Sequence, residues 1–176
     1  MADVPDPAEL PPLPPMERMI ELLFDAARQG RDDVIPALLR AGVDIEACDA
    51  RGYTPLVIAS YNGQESTTEL LLQEGASPDG AVDAQGNSAL MGVAFKGHVA
   101  IARRLIAAGA QVDRRNGVGQ TALMTAALFG RTDIVELLLA AGADASLIDA
   151  AGNSAASLAR MQGNDAMAQL VSAERG

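Results

Sequence analysis

The chain has 176 residues, 49% of them apolar and only 20% charged, which is enough apolar material for one domain or one short repeat array. It contains no Trp, two Tyr, three Phe and 17 Gly, so a core of large rings is excluded and small, closely packed helices are favoured. A net charge of −10 excludes a nonspecific grip on nucleic acid or an anionic membrane, and one Cys with one His excludes an internal disulfide, a zinc finger or a multi-histidine metal site.

Residues 1–15 hold six of the nine Pro and read as a stiff Pro-rich leader. Pro11 to Pro14 and Pro12 to Pro15 fit a PxxP spacing, but no basic residues flank it. The leader has neither a basic start nor an apolar stretch of a secretion signal, and no apolar run approaches the ~20 residues that span a bilayer. The expected location is cytoplasmic. The alternative is a periplasmic protein whose signal has been removed.

From residue 16 onward the chain repeats itself. Gly30, Gly63, Gly97, Gly130 and Gly163 are spaced by 33, 34, 33 and 33 residues. Gly42, Gly75, Gly109 and Gly142 each follow 12 residues behind, and Gly52, Gly86, Gly119 and Gly152 form a third series. One unit is legible from 49 to 75. Asp49 to Gly52 is turn chemistry, and Thr54-Pro55-Leu56 opens a helix with a hydroxyl cap and Pro in the first turn. Leu56-Val57-Ile58-Ala59 continues it, Gly63 stops it, and a second helix with Leu70-Leu71-Leu72 stops at Gly75.

This pattern resembles the ankyrin repeat. The Gly-x-Thr-Pro-Leu opening stands as Gly52-Tyr-Thr-Pro-Leu56 and is altered to Gly86-Asn-Ser-Ala-Leu90 and Gly119-Gln-Thr-Ala-Leu123, keeping the hydroxyl. Gly97-His98 matches the start of the second helix, and Leu71-Leu72-Gln-Glu-Gly75-Ala76 its ending, repeated at Leu105–Ala110 and Leu138–Ala143. The resemblance covers roughly residues 16–174 and implies an all-α repeat solenoid of paired antiparallel helices with short β-hairpin fingers. The expected domain is 16–176, with units 16–48 (N-terminal cap), 49–82, 83–115, 116–148 and 149–174 (C-terminal cap). The Gly75–Gly86 segment is one residue longer than its counterparts, so the Ser77-Pro78-Asp79-Gly80 finger should be irregular. The family's usual His after Thr-Pro-Leu is replaced by Val57, Met91 and Met124, which bears on stability.

Little here suits enzyme chemistry. His98 reads as a capping or turn residue. Cys48 has no basic neighbour to activate it. Asp32 and Asp33 read as helix-start carboxylates, and Asn116-Gly117-Val-Gly119 as a turn. No cofactor, metal or catalytic residue is expected.

The resemblance implies that partners meet the finger tips and the concave face of the short helices. Two columns precede the glycines that end those helices: Arg28, Tyr61, Phe95, Leu128, Met161, and Gln29, Asn62, Lys96, Phe129, Gln162. Finger positions add Arg51, Tyr53, Asn87 and Gln120. The expected partner-binding residues are Arg51, Tyr53, Tyr61, Asn87, Phe95, Lys96, Gln120, Leu128, Phe129 and Met161, with Tyr61, Phe95, Leu128 and Phe129 as anchors. Lys96, Arg103, Arg104, Arg114 and Arg115 form either a basic patch or charges scattered on different sides. The expected function is non-catalytic protein–protein binding by a monomer. The Arg-over-Lys bias and the Thr-Ala-Leu-Met opening resemble small bacterial members of the family. Alternatives are an accessory to a catalase or other haem enzyme, with His98 or Met161 as a haem ligand, and a protein that neutralises a toxin or effector.

Overall fold

The structure, a computed structural model, describes residues 13–173. Within them run α1 (Met16–Gln29), α2 (Ile35–Arg40), α3 (Pro55–Tyr61), α4 (Glu65–Gln73), α5 (Ala89–Lys96), α6 (Val99–Ala107), α7 (Ala122–Leu128), α8 (Thr132–Ala140), α9 (Ala155–Met161) and α10 (Asp165–Ala173). Odd-numbered helices stack on one another as an inner layer, and the even-numbered helices from α4 onward stack as an outer layer. Among the described residues the architecture is an all-helical array of stacked helix pairs.

The inner helices start where the hydroxyls predict. Thr54, Ser88, Thr121 and Ser154 hold extended backbone, and each side-chain oxygen accepts the N–H three residues on, at 3.4, 3.4, 3.3 and 3.3 Å. Pro55 is therefore dispensable to the start; Ala89, Ala122 and Ala155 take its place. At the other end Gly97, with φ at 88°, caps α5 in the left-handed region and donates its N–H to the Val93 carbonyl.

The layers approach closely because the facing side chains are small. Ala26, Ala59, Val93, Ala126 and Ala159 form one buried column of the inner layer, and Ala27, Ser60, Ala94 and Ala127 a second. The last member of that second column is Arg160, which is exposed, as the outer side of a terminal unit requires. Leu71, Leu105, Leu138 and Val171 fill the outer layer. Met91 and Met124, in place of the family's His, are fully buried packing. The first unit departs from the others: its inner helix is 14 residues long and its outer helix six, with Pro36 in the first turn.

Each finger is closed by turn bonds, and no strand is assigned among the described residues. Asp49, Asp83, Asn116 and Asp149 each donate their N–H to the carbonyl four residues on (Tyr53, Asn87, Gln120, Asn153) at 2.9–3.1 Å. Their Oδ1 atoms accept two further backbone N–H groups apiece, for example Arg51 and Tyr53 onto Asp49, both at 2.9 Å. The Asn153 N–H above all, with the Asn153 amide, the Ala151 N–H and the Gln120 side chain, holds the Asp149 carboxyl below the usual range against the opposing effect of desolvation.

Neighbouring units are also stitched by carboxylates. Glu46, Asp79 and Asp113 accept the backbone N–H groups of Ser77, Gln111 and Asp144 from the next unit, at 2.6, 2.8 and 2.9 Å. The extra residue of the second finger lies between Asp79 and Asp83. Finger two meets finger three through Gly117 N–H to the Gln85 carbonyl at 2.8 Å, and finger three meets finger four through Ala150 N–H to Val118 at 2.9 Å. The equivalent bond from Ala84 to Arg51 is not formed across the irregular joint. Asp32 and Asp33 precede α2 and are not in its first turn: Asp33 pairs with Arg31, and Asp32 accepts the Thr67 hydroxyl of the next unit.

Candidate functional site

Between the fingers and the inner helices lies an open groove of about 550 Å³. Its floor is the solvent-facing side of α3, α5 and α7, which Ile58, Met91, Gly92 and Thr125 help to line. Tyr61, Phe95 and Leu128 occupy the last turn of these three helices, so their rings and branches stand at the wall opposite the fingers. Arg51, Tyr53, Asn87 and Gln120 line the finger side, and Phe129 completes the aromatic wall.

The aromatic wall is an ordered cluster. Phe95 and Phe129 meet edge to face with centroids 4.7 Å apart, and Lys96 Nζ sits 4.9 Å from the Tyr61 ring centroid. Tyr61, Phe95 and Phe129 nevertheless keep 41%, 37% and 46% of their surface in solvent. Gly92 explains how Tyr61 lies where it does: a Cβ there would stand 3.2 Å from Tyr61 Cδ2. A side chain at this position would push the ring off α5 and raise the floor.

Eight of the ten residues expected from sequence line this one groove. The other two do not: Lys96 stands above it on Tyr61, and Met161, 68% exposed, ends α9 beyond the lining. Asn87 and Gln120 are also structural. The Asn87 amide donates to Asp83 at 2.9 Å and accepts from Asn116 at 2.8 Å, and Gln120 Oε1 accepts from the Asn116 amide at 3.5 Å. Sequence reasoning passed over Gly92, which belongs to none of the three glycine series, and over Val118 and Ile148, two exposed apolar residues on the fingers.

The basic residues from 96 to 115 do not form a patch. Arg104 of α6 bridges Glu65 and Glu69 of α4, both at 2.7 Å. Arg114 reaches the Asp79 carbonyl at 2.6 Å, and Arg115 donates to the Gly119 and Ile148 carbonyls, while Arg103 is exposed on the outer layer.

His98 lies at the joint between two units, its Cε1 3.0 Å from where a Cβ on Gly63 would stand, and its Nε2 is buried without a partner. Gln64 and Arg131, at the corresponding positions, donate to the Arg28 and Phe95 carbonyls. That setting leaves His98 Nε2 no open side for a haem iron. Cys48 is exposed, its thiol 3.5 Å from the Glu46 carbonyl. Among the described residues no three His, Cys, Asp or Glu converge on a metal position, and no helix is long and apolar enough to cross a membrane. Residues 1–12, which carry Pro11 and Pro12 of the PxxP spacing, lie outside the described residues; Leu13 is exposed.

Comparison with known proteins agrees with the architecture. The family model described as ankyrin repeats (3 copies) matches residues 23–116 and again 90–176. A transient receptor potential cation channel subfamily A member 1 homolog from Caenorhabditis elegans is 36% identical over 95 residues, 54% of this chain and 8% of that protein. A putative ankyrin repeat-containing protein of Treponema pallidum (strain Nichols) is 36% identical over 91 residues, 52% of this chain and 30% of that protein. Human ankyrin repeat and KH domain-containing protein 1 is 35% identical over 92 residues, 52% of this chain and 4% of that protein. The chain therefore spans less than a third of the length of each of these relatives. With matched segments running from 23 to 176 and the capped helix pairs described above, this chain belongs to the ankyrin-repeat family.

Proposed function

We propose that the chain is a non-catalytic binding protein that holds a protein partner in the groove between its fingers and inner helices. Ankyrin repeats generally mediate protein–protein interaction and are typically without catalytic activity. The observation that carries the reading here is the Tyr61, Phe95 and Phe129 cluster. Three large rings stand in one wall, partly in solvent, in a protein that has only five aromatics and places none of these three in its core. Isolated exposed apolar side chains need no explanation, but a contiguous set backed by a groove marks a surface that binds. The rings are placed by the last turns of the inner helices and by their own contacts, which reduces the ordering entropy lost on binding. The partner-binding set is Arg51, Tyr53, Tyr61, Asn87, Phe95, Lys96, Gln120, Leu128, Phe129 and Met161, acting in a monomer in the cytoplasm.

The test is a paired capture from native lysate with mass spectrometry, using wild type and a Tyr61→Ala/Phe95→Ala/Phe129→Ala variant of equal helicity by circular dichroism. Alanine at two or more anchors should weaken capture by at least a hundredfold. A partner held equally by both proteins would place binding elsewhere.

A further inference from the structure

Charge in this protein is mostly spent on itself. With 23 acidic against 13 basic side chains, a cation ordinarily finds a carboxylate. Arg18, Arg28, Arg31 and Arg104 do so at 2.7–2.9 Å, and Arg114 at 3.7 Å. Arg115 and Arg131 donate to backbone carbonyls instead. Two cations at the groove do neither. Arg51, on the first finger, and Lys96, held over the Tyr61 ring, have no carboxylate within 4.0 Å among the described residues. Arg51 lines the groove and Lys96 borders it on the Tyr61 ring; Arg40, Arg103 and Arg160 are also without a carboxylate, but none of them lines the groove or rests on one of its rings.

The two acids that line the groove are committed to the fingers and form no ion pair within 4.0 Å of either cation. Asp49 and Asp83 each turn Oδ1 onto two finger N–H groups, and Asp83 Oδ2 accepts the Asn87 amide. Between the two cations Gly92 lets the Tyr61 ring lie against α5, and the partly exposed faces of Tyr61 and Phe95 border the groove. Arg51 precedes α3 on the finger side, and Lys96 rests on the ring that ends α3, so the seven-residue helix, about 10 Å long, sets the distance between them.

We infer that the groove's partner is an acidic peptide segment in which carboxylates lie on both sides of a bulky apolar side chain. The apolar group seats against the exposed faces of Tyr61 and Phe95, and the carboxylates meet Lys96 and Arg51. This inference rests on the groove being the binding site and adds the chemistry of what binds there. A protein of net charge −10 would otherwise repel an acidic segment, so two unspent cations at an aromatic wall act as the selecting feature.

A phage-displayed library of random dodecapeptides, panned on the full chain, tests it. The most enriched peptide is then labelled and titrated by fluorescence anisotropy. Enriched sequences should be net negative, with Asp or Glu flanking Leu, Ile, Phe or Trp. Lys96→Glu and Arg51→Glu should each weaken binding about tenfold, Lys96→Met by less, and Arg103→Glu on the outer layer should leave it unchanged. Circular dichroism checks that each variant keeps its helices. Neutral or basic peptides, no enrichment at all, or equal affinity for the charge-reversed variants overturns the inference. If those peptides still lose binding to Tyr61→Ala/Phe95→Ala/Phe129→Ala, the groove stands and only its charge preference falls. If they bind that variant undiminished, the groove itself is not the site.

Discussion

Asp149 and Asn116 occupy the same place in successive fingers and bond in the same way, Oδ1 accepting two backbone N–H groups each. The difference is that Asp149 carries a charge and is buried, with its carboxyl held below the usual range by those donors. A depressed folded pKa contributes stability that is present above the unfolded value, about 3.9, and is lost as pH falls through the folded one. Asp149→Asn keeps the acceptor and removes the titration, so the protein should fold at pH 7 and lose less stability than wild type below about pH 4. Urea denaturation as a function of pH checks this, and superimposable acid limbs would contradict it. The residue scale is also where sequence reading fell shortest. The glycine series, hydroxyl caps and aromatic columns are visible because each recurs at one spacing. Gly92 recurs at none, and its meaning depends on a Tyr 31 positions earlier. The Glu46, Asp79 and Asp113 ties could have been found, since each stands four residues after Gly42, Gly75 or Gly109.

The elements follow local chemistry closely, and their exceptions have physical causes. Hydroxyl caps start α3, α5, α7 and α9 with or without Pro. The fingers, expected as short β-hairpins, are each closed by an Asx turn of five residues, with single backbone bonds joining the later fingers. The irregular finger is the instructive case. Its added length was legible from spacing, but the role of Gly80 was not: a Cβ there would stand 2.6 Å from Glu46 Oε2, while Glu46 Oε1 holds the Ser77 N–H. Gly80→Ala should displace that carboxylate and cost roughly 1–3 kcal/mol, with one inter-unit bond lost. Chemical denaturation measures it; a change under about 0.3 kcal/mol would show that Glu46 repositions without loss.

At the scale of the whole molecule, each unit contacts its neighbours, so stability is approximately a sum of unit and interface terms. The interfaces are not equal. Fingers two to four are joined by backbone bonds from Gly117 and Ala150, and the joint between fingers one and two lacks its counterpart at Ala84. Hydrogen exchange should therefore release the Ala84 amide well before those of Gly117 and Ala150. Equal protection would mean that the irregular joint is closed in solution. The family, the helix caps and most of the residues that line the groove could be read from the chain, because a repeat displays each position several times over. Charge pairing between distant units could not, which is why Lys96 and Arg114, close in sequence, have opposite fates.

The central claim is that a partner is held in the groove, and hydrogen-exchange mass spectrometry of the full chain with its captured partner tests it most directly. Binding should slow exchange in segments 49–62, 83–96 and 116–129, the fingers and inner helices, and leave α4, α6 and α8 unchanged. Protection confined to those outer helices, with the groove segments exchanging as in the free protein, would contradict it.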